Sequence, residues 1–221
     1  MTAYFFDGSF PHSWTAEVLE ARPLILPSRH YVYPRDAEEV ERGALEVLIR
    51  PGQPDEPAAS DIRGLPPFRQ KKGERMGHGE FVGQSGRALQ PFLATCALGF
   101  RDPSVPTGLW STPRPEEICA VSGGYAYLID TIAPERFTMV NYRPVLEVRA
   151  VVEAGLLLFV GHHSILAWGR EGQAWETEKL SDEGVTISGV EGGMLRGVGW
   201  EMIADKETSF AIDLRTGVLL Q

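Results

Sequence analysis

Three stretches share one pattern, and that pattern constrains the fold more than any other feature of the chain. They are EICAVSGGYAYLID, LLLFVGHHSILAWG and ISGVEGGMLRGVGW. Each is an apolar run, a short break, and a second run rich in aliphatic or aromatic residues. The breaks are Gly123–Gly124, His162–His163 and Gly192–Gly193. A Gly-Gly pair between alternating apolar runs predicts a β-hairpin, because both central residues of a type I′ turn need positive φ. Other segments alternate as single strands. PVLEVRAVV sets Leu146, Val148 and Ala150 against Glu147 and Arg149. AWETEKL sets Trp175 and Thr177 against Glu176 and Glu178, and SFAIDLRTGVLL aligns Phe210, Ile212 and Leu214 before turning at Thr216–Gly217. ALEVLIR and FLATCALGF are strands as well, and LLLFV, apolar on both faces, reads as a central strand covered on each side. The 24 glycines and 16 prolines among 221 residues fit many turns and many short strands.

The fold class expected is therefore mainly β, an antiparallel sandwich or a strongly curved open sheet built of hairpins. One or two short N-terminal helices are expected beside it. SWTAEVLEAR reads as a helix capped by Ser13, and DAEEVERG as a turn or two of helix from Asp36, with Glu39 in an acidic capping-box position and Gly43 as the stop. Residues 1–50 form an aromatic and proline-rich segment packing on the β domain, residues 51–80 a flexible loop, and residues 81–221 the antiparallel β domain. Residues 92–221 also resemble β-propeller-like or meandering β-repeat proteins, since several short strands recur with each turn. That resemblance implies blade-like units of several short strands each, or a meandering sandwich. Three units are too few to close a ring, and the Gly-His and Trp-Asp marks of the best-known propeller repeat are absent, so the propeller is the alternative architecture.

The net charge of −9 and pI near 5.1 disfavour binding to nucleic-acid phosphates. The N-terminus has no basic region followed by an apolar run, and no apolar stretch approaches the ~20 residues of a membrane span. The expectation is a cytoplasmic protein without a membrane partner. Two cysteines, Cys96 and Cys119, sit in apolar surroundings and read as buried free thiols, with a disulfide open if their strands are neighbours.

Catalytic motifs are missing: the chain has no G-x-S-x-G, no Walker loop, no dinucleotide fingerprint and no H-E-x-x-H. His162 and His163 would face opposite ways on a strand, or sit exposed at a turn tip; neither chelates one ion well, and no metal or cofactor is assigned. Trp110, Tyr125, Tyr127, Trp168 and Trp175 are the candidate ligand-binding aromatics, with Trp168 and Trp175 expected across a tight turn. Arg69, Lys71, Lys72 and Arg75 give the loop a basic half, a candidate docking element for an anionic partner. The function expected is a non-catalytic binding or scaffold module for a protein or small molecule. The alternatives are a small hydrolase using His162 or His163 and a small-molecule sensor with an aromatic pocket. Free sheet edges favour a homo-oligomer.

Overall fold

The computed structural model describes residues 4–35, 37, 43–52 and 89–220. It is mainly β, with no α-helix among the described residues and none long and apolar enough to cross a membrane. Among the described residues sixteen strands form four sheets, none of them closed.

The first sheet holds β2 (Trp14–Leu19), β4 (Ala44–Pro51), β5 (Phe92–Ala97) and β3 (His30–Tyr33), in that order. The second holds β1 (Phe5–Asp7), β6 (Gly108–Ser111), β7 (Glu117–Ser122), β8 (Tyr125–Asp130) and β9 (Phe137–Met139). The third is a meander of β10 (Glu147–Val151), β11 (Leu156–Val160), β12 (Ile165–Gly169) and β13 (Gly172–Glu176), with a single 3₁₀ turn at Val152–Ala154. The fourth is β14 (Val185–Glu191), β15 (Met194–Glu201) and β16 (Lys206–Asp213). Most pairs are antiparallel; β1–β6 and β3–β5 are parallel, so two of the sheets are mixed.

The sheets stack face to face in the order given. Three apolar cores lie between them, and the period of two decides which residue enters which core. On β7, Ile118 and Ala120 face the first sheet, while Cys119 and Val121 face the third. On β11, Leu157 and Phe159 enter the middle core, and Leu156, Leu158 and Val160 the core shared with the fourth sheet. A strand covered on both faces must be apolar at every position, which is why LLLFV shows no alternation. Cys96 and Cys119 are free, buried in different cores, and burial pushes both thiols far above their ordinary range.

The N-terminal helix expected over SWTAEVLEAR is not formed. Residues 14–19 are strand β2, paired along its length with β4 from Trp14↔Pro51 to Leu19↔Glu46. Trp14, Ala16 and Val18 turn to the first core. Ser13 does not cap a helix; its hydroxyl donates to the Pro115 carbonyl at 3.3 Å. Helix propensity is a weak prior, and here a ladder plus a buried face outweighs it. The second helix expected, from Asp36, lies almost wholly outside the described residues.

Both Gly-Gly reversals are two-residue turns with the expected dihedrals, φ 56° and 75° at Gly123–Gly124 and 58° and 76° at Gly192–Gly193. The histidine reversal differs. Neither imidazole residue has positive φ, and β11 and β12 are joined by four residues, Gly161 to Ser164. This wider loop is tied to the segment before β14: Leu180 N–H donates to the His163 carbonyl at 2.7 Å and Gly184 N–H to the His162 carbonyl at 2.9 Å.

Candidate functional site: a cleft of paired arginines and carboxylates

Strands β7 and β8 run outward from the Gly123–Gly124 turn until Glu117 stands directly opposite Asp130. Two carboxylates at adjacent positions on one ladder repel unless each has its own cation. The connections at that end of the hairpin supply them. Arg114, just before β7, donates from Nη2 to Glu117 Oε2 at 2.9 Å. Arg136, just before β9, pairs through Nη2 with Asp130 Oδ2 at 2.8 Å. The other Asp130 oxygen accepts the backbone N–H groups of Ile132 and Ala133 at 2.9 and 3.0 Å, which shapes the turn that carries Arg136. The third sheet contributes Trp168, whose indole Nε1–H donates to Glu117 Oε1 at 3.0 Å. The two arginines and two carboxylates, with Leu128, Phe137 and Thr138, line a cleft of about 390 Å³, and Trp168 braces it through Glu117.

Glu117 is buried, and burial pushes its carboxyl above the ordinary range; Arg114 and the Trp168 indole pull in the other direction. Burial disfavours the charged form, so a carboxylate kept here is held by its partners. The consequence for stability has a definite sign. A native carboxyl that titrates above its unfolded value of 4.5 contributes stability below that value and loses it as pH rises through the native one. Glu117→Gln removes this titration. Thermal melts of both proteins between about pH 4 and pH 7 should show wild type losing ground to the variant as pH rises. A wild-type-minus-variant difference that stays flat across that range would show that Glu117 does not titrate as described.

The chain matches no protein-family model, and no curated protein or solved structure resembles it significantly.

The five candidate aromatics divide among all three cores. Tyr125 and Tyr127 face the first, Trp110 and Trp168 the middle one, and Trp175 the third. Tyr127 donates its hydroxyl to the Ala97 carbonyl at 2.9 Å, and Trp175 donates Nε1–H to the Leu214 carbonyl at 2.8 Å. Trp168 and Trp175 do not stand across from each other. Trp175 pairs with Ala167 and Trp168 with Gln173, across a shift in register between Ala167 and Trp168. Of the five, Trp168 is bonded to a cleft residue, Glu117. Arg69, Lys71, Lys72 and Arg75 lie outside the described residues. His162 and His163 are exposed, their ring centroids 6.0 Å apart, and His163 donates Nδ1–H to the Ser181 carbonyl at 3.1 Å.

Sequence reasoning passed over Arg114, Glu117, Asp130 and Arg136. A signal for two of them was present. Counting six residues outward from each glycine of the Gly123–Gly124 turn places Glu117 opposite Asp130. The arginines carried no such mark, because their approach depends on loop geometry.

Proposed function

We propose that this protein is a non-catalytic binding module whose cleft takes up a small zwitterionic molecule, such as a free amino acid. One observation carries the reading: two arginine–carboxylate pairs stand side by side on the Glu117–Asp130 cross-strand pair, Arg114 giving one N–H to Glu117 and Arg136 forming an ion pair with Asp130 at 2.8 Å. A guanidinium has five N–H donors, so both retain donors for a ligand carboxylate. The carboxylate oxygens retain lone pairs for a ligand ammonium. The cluster is neutral as a whole, so a ligand carrying both signs replaces water without leaving a charge unpaired. The strands that hold the groups are buried on both faces, which supports a preorganised site. The stacked sheets support a sandwich-type architecture, with an open propeller-like arc as the alternative.

A sensor role is favoured by Trp168. Its indole N–H is bonded to Glu117, so occupancy of the cleft should change its emission. Tryptophan fluorescence and calorimetry with the free proteinogenic amino acids test the proposal. Saturable binding of at least one is expected, weakened about tenfold or more in an Arg136→Ala variant that remains folded, its melting temperature lowered because Asp130 loses its cation. No response from any of them, or equal binding by the variant, would refute it.

A further inference from the structure

A second cleft, of about 440 Å³, lies between residues 141–144, which lead from β9 to β10, and residues 161–164, which join β11 to β12. It owes nothing to the Glu117 cleft. Its walls are fixed. The Tyr142 hydroxyl donates to the Ser164 carbonyl and accepts from Ser164 Oγ at 3.2 Å. The tyrosine lies so close over Gly161 that a Cβ there would meet its oxygen at 2.5 Å. His163 is oriented by its bond to Ser181, and because the partner is a carbonyl, Nδ1 is the donor and Nε2 the free nitrogen.

The charges along these walls differ from those of the first cleft. Arg143 stacks over the Tyr125 ring, 5.2 Å from its centroid, and donates to Asn141 Oδ1 at 3.4 Å. Among the described residues no carboxylate pairs with it. His162 and His163 stand across the cleft. The one carboxylate in hydrogen-bonding reach of either segment among the described residues is Glu176, whose Oε1 lies 3.3 Å from Ser164 Oγ and shares that hydroxyl's single proton with the Tyr142 oxygen. On a chain of net charge −9, an arginine with no carboxylate paired to it among the described residues is a local cationic site; Asp182 acts electrostatically on His163 and not on Arg143. A guanidinium fork held by stacking presents paired N–H donors in the geometry of an oxyanion.

We propose that this cleft binds a compact oxyanion of the phosphate class, with Arg143 as the principal donor and the Asn141 amide and His162 completing the shell. A free phosphate and the phosphate of a phosphorylated metabolite share this chemistry. Titrations of the full chain with inorganic phosphate and with glycerol 3-phosphate distinguish the sources, since tighter binding of the ester points to the metabolite.

Calorimetry with inorganic phosphate should give saturable binding in the low-millimolar range or tighter. Arg143→Ala should weaken it about tenfold or more, and Arg170→Ala, the same charge change at an exposed turn, should not. Absence of phosphate binding by wild type, or equal weakening in the two arginine variants, would overturn the proposal. Should Arg143→Ala fail to fold, Arg143→Lys and His162→Ala decide. Each is expected to weaken binding, the lysine because it loses the fork, and full affinity in both would overturn the assignment.

Discussion

Phe159→Ala should destabilise the protein by about 3–5 kcal/mol, the largest effect expected of any side-chain truncation considered. Phe159 has no exposed surface and lies in the middle core, where the second and third sheets meet. Its neighbours there, including Cys119, Val121, Leu157 and Leu166, belong to strands held by ladders on either side. They cannot collapse into the space, so the lost transfer energy is joined by the cost of a cavity. For a chain of this size the loss corresponds to a fall in melting temperature of roughly 10 °C. Denaturant and thermal unfolding measure it. Val152→Ala, at a residue 48% exposed, is the control and should shift stability by no more than about 0.5 kcal/mol. Similar losses in both variants would show that the middle core is not packed as described.

Gly199→Ala should cost about 3 kcal/mol for the opposite reason, overpacking. A Cβ at Gly199 would lie 2.2 Å from the Leu180 carbonyl oxygen and 3.0 Å from Ser181 Cβ. The obstacle is backbone, and that backbone is tied down. Asp182 N–H donates to the Trp200 carbonyl at 2.7 Å, and Trp200 N–H to Ser181 Oγ at 2.8 Å. Relief of the clash therefore breaks hydrogen bonds. The same segment holds the imidazole loop through Leu180 and Ser181, so the variant should lose phosphate binding along with stability. Gly189→Ala, on the neighbouring strand with nothing within 4 Å of its added Cβ, should stay within about 0.5 kcal/mol of wild type. Comparable melting of the two variants would refute the steric account.

The two glycine reversals and the two-faced strand LLLFV were legible because their causes are local. Positive φ is a property of the glycine, and a strand buried on both sides must be apolar throughout. Residues 13–22 misled because two periods compete in them. Trp14, Ala16 and Val18 alternate, while the run also carries good helix formers, and pairing with β4 settles the contest from about 30 residues away in sequence. The reversal at His162–His163 and the exposure of both imidazoles are as expected, and only the loop's width of four residues was hidden, for a related reason. Its width is set by hydrogen bonds from Leu180 and Gly184, which no turn rule contains.

The candidate sites divide in the same way. The facing of Glu117 and Asp130 is a matter of counting from a turn, but the bond from Trp168 spans 51 positions and joins two sheets. Aromatic residues that stood out in sequence are spread over three cores, because burial in β-layers recruits aromatics wherever volume must be filled.

By itself the sequence determined where the glycine pairs reverse the chain, which segments after residue 90 extend, and that LLLFV must be covered on both faces, since those follow from φ preferences and a two-residue period. The tertiary structure alone decided which sheet lies on which, that Phe5 runs parallel to Gly108, and that Arg114, Glu117, Asp130, Arg136 and Trp168 meet. The stacking order minimises exposed apolar surface summed over residues far apart in the chain, and no local pattern encodes that sum.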